Sequence, residues 1–187
     1  MSLIDGWTNL IYKVATGSWK VRLVIAPIVG VSYLGLIVAF VLLSFAVDQW
    51  LTLPKPFSYP VSPILGSALF LSGFFLTCLS IAYFLRVRGT PVPFSPPPSL
   101  VVAGPYKFSR NPMLTGIFMQ LFGIGTASGS LSLLFIFNPL FIIANVWELK
   151  RVEEPELERR LGAAYVQYKK DVPMFVPSIT RRKRIRR

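Results

Sequence analysis

An all-α integral membrane fold is predicted by two features of this 187-residue chain. The first is three long runs without a charged residue: 23–47, 61–85 and 113–147, of 25, 25 and 35 residues. A helix needs about 20 apolar residues to cross the hydrocarbon layer. The second is segregation. The chain is 53% apolar and 14% aromatic, yet its net charge is +12, because basic residues collect in patches between the runs. Mean hydropathy is +0.57. A soluble globule interleaves apolar and charged residues; separation on this scale is the membrane pattern. The expected architecture is four transmembrane helices, the last two a short hairpin, with interfacial helices at both ends.

Residues 3–19 place Leu3, Trp7, Leu10, Ile11, Val14 and Ala15 at helical spacing. Ser2 suits the cap and Asp5 the first turn, while Asp5, Asn9 and Lys13 fall on another face. The segment reads as an amphipathic helix lying in the interface, anchored by Trp7 and Trp19. Burying Asp5 or Lys13 in a span would be costly. The first two runs follow as spans, joined by a short loop, 48–60, with Trp50 and Tyr59 at interfacial height. Gly66, Ser67, Ser72 and Gly73 mark the second span for close helix packing.

Residues 86–112 form the long connection, and their prolines, in TPVPFSPPPS, favour extended backbone. The 35-residue run exceeds one ordinary span. GTASGS, residues 125–130, divides it into helices 113–126 and 131–148, with a kink expected at Asn138-Pro139. Pro155 suits the first turn of a new helix. Leu157, Leu161, Ala164, Tyr165 and Tyr168 give that helix one apolar face, to be laid on the membrane. VPMFVPS should run back over the surface, and RRKRIRR reads as an anionic-lipid contact or a disordered tail.

With four spans, the N-terminal arm, the long connection and the C-terminal region share one side. That side holds 19 of the 20 basic residues, which makes it cytoplasmic, together with both termini and any site formed there. The chain divides at residue 85: 1–85 carries the first helix and two spans, 86–187 the motifs. No cleavable signal peptide is expected, because the first residues lack a basic region followed by a compact apolar core.

The chain has no histidine, which removes histidine acid–base chemistry and nearly every zinc site, so no metal is expected. Its one cysteine, Cys78, reads as a small buried hydrophobe. No glycine-rich phosphate loop follows a strand. A nucleic-acid partner does not fit, because the runs between basic patches are too long and apolar.

Two polar constellations remain. LVVAGPYKFSRNPMLTG, residues 100–116, brings Gly104, Pro105, Tyr106, Arg110, Asn111 and Pro112 together beside a span. Glu153-Glu154 stands where the last span ends. They supply an aromatic face, a fixed cation, an amide and two carboxylates, the partners a nucleoside amino acid needs. Each also has an ordinary reading: a turn with an interfacial aromatic, a positive flank, acids at a helix N-terminus.

These two motifs, in this order and separated by a hydrophobic hairpin, resemble the integral-membrane methyltransferases. That superfamily includes isoprenylcysteine carboxyl methyltransferase and phospholipid N-methyltransferases. The resemblance covers about residues 86–177. It implies S-adenosylmethionine as methyl donor and S-adenosylhomocysteine as product. It also implies a cofactor site at Ser99, Leu100, Val101, Gly104, Tyr106, Asn111, Pro112, Met113, Leu114 and Glu154, with Arg110 and Glu153 catalytic. The chain departs from the isoprenylcysteine branch in four places. Pro98 or Ser99 stands for a His, Asn111 for a His, Leu114 for a Tyr, and Leu149 for an Arg associated with substrate carboxylate.

Arg110 is expected to orient an anion of substrate or cofactor, Glu153 to orient cofactor or acceptor, and Glu154 to support that site. The expected partner is a lipophilic small molecule or lipidated substrate reached from the surrounding membrane lipids. A carboxylate acceptor, such as a prenylcysteine, needs no general base and stands first; an amine phospholipid headgroup stands second. A sterol-type reductase is disfavoured by the short chain. The non-enzyme alternative is a membrane binding or scaffold protein. The sequence leaves oligomeric state open.

Overall fold

The computed structural model describes residues 19–55, 59–86 and 100–176, together with Gly6, Asn9, Tyr12, Lys13 and Gly17. The described residues are helical with no strand. Helix α1 spans Trp19–Trp50, α2 Val61–Arg86 and α3 Pro112–Ser128. The last long helix begins with a π turn, Leu133–Phe137, continues as α4, Asn138–Glu148, passes through a second π turn, Leu149–Glu153, and ends as α5, Glu154–Leu161. Helix α6 is Ala163–Asp171.

The chain runs four times between two ends. At one end, Arg159 donates to Asn9 at 2.8 Å and lies over the Tyr12 ring at 4.2 Å, and Arg110 meets Glu154. At the other, Asp48 accepts hydrogen bonds from the Ser130 hydroxyl and, at 2.9 Å, from the Ser132 amide. Ser62 donates there to Thr126 O. Pro27–Trp50, Val61–Arg86 and Leu133–Leu161 are long and apolar enough to cross a membrane. Helix α3, with 17 residues, is the short member.

α1 turns one stripe inward. Tyr33, Ile37, Phe40, Val41 and Phe45 pack on Phe118, Leu121, Leu133 and Phe141, while Val24, Val31 and Leu42 are exposed. An apolar surface left outside at this scale suits lipid as solvent. α2 and α3 meet through glycines seven apart on each, Gly66 and Gly73 against Gly123 and Gly116. A Cβ on Gly73 would stand 2.5 Å from Gly116 O. Small residues are what bring helix backbones this close. Ser67 and Ser72, expected in the same contact, face outward, and so does Cys78, which is exposed rather than buried. The reason is that α2 buries only its small-residue ridge, Ser62, Gly66, Gly73 and Ser80. Gly73→Ala should therefore cost about 1–3 kcal/mol by forcing α2 and α3 apart. A lower Tm in detergent would register it; Gly35→Ala, with nothing within 4 Å, is the neutral control.

The hairpin turn lies later than expected, since α3 runs through Gly125 and Thr126. Gly129, at φ 69°, closes it: the Ser130 amide bonds Gly125 O at 2.9 Å and the Gly129 amide bonds Thr126 O at 3.2 Å. This is the Schellman closure that glycine permits. The helix expected to stop at residue 148 runs on without a break to Leu161, so Pro155, in the first turn of α5 as expected, is entered from a π turn and not from a loop. Each proline of this long helix follows a π turn. The Asn138 amide reaches Leu133 O just before Pro139, and the Glu154 amide reaches Leu149 O just before Pro155. A proline ring collides with the carbonyl four residues back; the wider turn relieves it.

The expected surface helix is interrupted at Gly162, φ 61°. Its apolar face is turned to the protein, not outward: Tyr165, Tyr168 and Val172 cluster with Leu100, Val102, Leu157 and Leu161. Ala164 is exposed. The packing of the N-terminal helix beyond the five described positions, the proline-rich 87–99 segment and the basic tail lie outside the described residues.

Candidate functional site

The site is built on a short turn. Leu100–Val102, with Val101 buried, leads through an extended Ala103 into a 3-10 turn, Gly104–Lys107. Gly104 has φ 55°, and a Cβ there would strike the Tyr83 ring of α2, so both backbone sign and space call for glycine. Pro105 then directs Tyr106 inward. Tyr106 is 4% exposed and meets Phe84 edge-on at 5.0 Å. Tyr168 of α6 donates its hydroxyl proton to Tyr106 O at 2.7 Å. The turn is thus clamped between α2 and α6. Burial pushes the Tyr106 phenol up, with Tyr168 and the Glu153 carboxylate adding to the effect.

Residues 109–111 are held by the returning C-terminal segment. The Arg110 amide donates to Pro173 O at 2.9 Å and the Asn111 amide to Met174 O at 3.1 Å. The Ser109 hydroxyl also donates to Met174 O, at 2.9 Å, and Asn111 Nδ2 does so at 3.4 Å. Phe175 then packs on Phe118 at 5.5 Å between ring centroids. The expectation that VPMFV returns over the surface holds for residues 172–176, and its backbone carbonyls fix where Arg110 begins.

The two motifs meet at Glu154. Arg110 Nη1 donates to Glu154 Oε1, and these side chains are 10% and 6% exposed. Lys169 Nζ lies 2.6 Å from Glu154 Oε2 and 2.9 Å from Glu158 Oε1. Both oxygens of Glu154 are therefore committed. Tyr165 also hydrogen-bonds Arg110 and is pushed up to about 12, by burial first and then by Glu154, against Arg110. The hydrogen bond to Glu154 raises Lys169, which stays cationic. Arg110 Nε is buried and has no hydrogen-bond partner among the described residues.

Glu153 differs from its neighbour. It makes no hydrogen bond or ion pair among the described residues, although it lies within electrostatic reach of Glu148, Glu154, Glu156 and Arg160. Arg160 is engaged at 2.8 Å by Glu156. Adjacent glutamates thus have opposite situations: Glu154 is a saturated hub, and Glu153 is a partly buried carboxylate with its acceptor capacity unspent.

Among the residues expected at the site, Tyr106, Arg110, Glu153 and Glu154 come together. Leu100 and Val101 lead into the same turn, and Asn111 lies beside Met174. Pro112 is buried at the start of α3, and Met113 O accepts from Thr77 at 3.4 Å. Leu114 packs in the apolar cluster around Phe118. Ser99 lies outside the described residues. Lys169, Tyr165, Tyr168 and the Met174 carbonyl escaped the sequence reading. The tyrosines stood on the face assigned to the membrane, and a backbone acceptor leaves no mark in sequence.

This constellation fits a methyl donor built on a nucleoside amino acid. Among the described residues Glu153 keeps its acceptors free for an ammonium or ribose hydroxyls, and the orphaned Arg110 Nε leaves a donor unspent. No curated protein and no solved structure matches the chain. A family model described as phospholipid methyltransferase matches residues 61–164, from the start of α2 into α6. That stretch is more than half of the chain and contains both motifs, so the chain belongs to the phospholipid methyltransferase family.

Proposed function

We propose that this protein transfers a methyl group from S-adenosylmethionine to a lipophilic acceptor held in the membrane, and that the acceptor is an amine headgroup. The observation that carries the reading is the division between Glu153 and Glu154. Arg110, the cation expected to orient an anion of substrate or cofactor, is paired with Glu154, and Leu149 stands where the isoprenylcysteine branch has the Arg associated with substrate carboxylate. Among the described residues it is Glu153 that remains unpartnered, with Glu148 nearby. Such surroundings repel an acceptor carboxylate and attract an ammonium, which moves the preference from a prenylcysteine to an amine phospholipid.

When bound, the cofactor supplies an electrophilic methyl group on a sulfonium. The chain supplies position and charge. Leu100, Val101, Gly104, Tyr106, Asn111, Pro112, Met113 and Leu114 would hold the cofactor. Arg110, held by Glu154, would offer its unspent Nε donor to the cofactor's carboxylate. Glu153 takes the proton that the acceptor ammonium must lose before its lone pair can accept a methyl group, a role worth about 10²–10⁴ in rate. Positioning supplies the rest. In this reading α3 crosses the membrane with the three longer helices, and the site faces the cytoplasm.

The test is transfer of a labelled methyl group by membranes containing the protein, with amine phospholipids and prenylcysteine analogues offered in parallel. Labelled amine lipid is the expected product. Labelled prenylcysteine would reverse the choice of acceptor. Folded protein with neither transfer nor S-adenosylhomocysteine binding would overturn the enzyme reading in favour of a binding or scaffold protein.

A further inference from the structure

The last long helix carries a polar stripe inside its apolar length. Tyr33 of α1 donates its hydroxyl to Asn145 Oδ1 at 2.8 Å, and Asn145 Nδ2 donates to Phe141 O at 2.7 Å. The Tyr33 hydroxyl lies within electrostatic reach of both Glu148 and Glu153. Glu148 is half-buried and makes no hydrogen bond or ion pair among the described residues. It stands in a helix long and apolar enough to cross a membrane. A carboxylate so placed is costly without a partner, which marks it as a functional group.

The second π turn gives this stripe its direction. In an unbroken α-helix, residues five apart point roughly 140° apart. A π turn closes its hydrogen bond across five residues, as the Glu154 amide does to Leu149 O, and brings such residues toward one face. Glu148 and Glu153 bracket that turn, and each acts electrostatically on the other. The buried Tyr106 hydroxyl adjoins the same place: it lies within reach of Glu153 and beside Ser80, whose own proton goes to Leu76 O.

We propose that Glu148, backed by the Tyr33–Asn145 pair, binds the ammonium of the methyl acceptor one π turn deeper toward the membrane than Glu153. This rests on the amine reading above and adds a recognition site to it. Glu153 faces the reacting nitrogen; Glu148 holds cationic headgroups in preference to neutral or anionic ones. Tyr33 fixes Asn145 and presents its ring beside the same headgroup. A lipid would then be selected by charge before it reaches the methyl donor.

Two measurements decide this. In full-length protein, Glu148→Gln should raise KM for a primary-amine phospholipid at least tenfold and change S-adenosylhomocysteine affinity less than twofold, with Glu148→Asp recovering part of the loss. An unchanged KM, or an equal loss of S-adenosylhomocysteine affinity, overturns the proposal. The second measurement needs neither a variant nor turnover. Wild-type protein in nanodiscs should retain a spin-labelled ethanolamine phospholipid over its N-acetyl analogue by fivefold or more. Equal retention overturns the proposal even if Glu148→Gln does not fold. Preferential retention without any methyl transfer would leave the recognition site standing and remove the enzyme reading.

Discussion

Glu153→Gln should lower methyl transfer by at least about 100-fold while leaving Tm unchanged or slightly raised. The reasoning has two parts. A carboxylate that accepts a proton from the acceptor contributes about 10²–10⁴ in rate, and an amide of the same shape cannot replace it. Stability is untouched because Glu153 gives up no hydrogen bond or ion pair among the described residues, while three other carboxylates surround it. Removing its charge relieves that repulsion. Labelled-methyl assays and thermal unfolding in detergent check both halves. Full activity in Glu153→Gln would remove this residue from the mechanism.

Glu154→Ala should behave in the opposite way, as a stability variant first. It strands Arg110, whose side chain is 10% exposed, and leaves Lys169 paired with Glu158 alone. Breaking a buried pair by removing one partner costs about 3–5 kcal/mol. Activity should fall with it, because Arg110 loses the contact that aims it. Lys169→Met tests which half of the hub matters: Lys169 is 37% exposed, and an ion pair so placed contributes no more than about 1 kcal/mol. A large loss in Lys169→Met with little change in Glu154→Ala would show the hub to be centred on Lys169 rather than Arg110. Comparing Glu153 with Glu154 is therefore the sharpest test of the site, since neighbours in sequence should fail by different routes.

Much of the architecture was legible from hydropathy. The boundaries of α2 and the existence of a hairpin after Pro112 follow from uncharged length and from turn-forming residues. The meeting of the Arg110 and Glu153-Glu154 motifs follows from counting helices between them. The last long helix was misread at its far end because Pro155 normally opens a helix, and linear pattern gives no sign that a π turn can absorb it. Likewise Tyr165 and Tyr168 have the periodicity of a membrane-facing stripe. Whether such a stripe meets lipid or protein depends on what lies opposite, here Leu100 and Val102.

By itself the sequence determined that the chain is helical, that its apolar runs suit a bilayer, and that its polar chemistry gathers at residues 100–116 and 153–154. Those are properties of composition and spacing, which act locally along the chain. The tertiary structure decided which of two adjacent glutamates is occupied. Arg110 and Lys169 reach Glu154 from residues 44 positions before and 15 after it, and the π turn sets which carboxylate faces them. Spacing along a chain fixes which residues are present at one end of the bundle. Which charged atoms neutralise one another is settled by distances that exist only once the helices have packed.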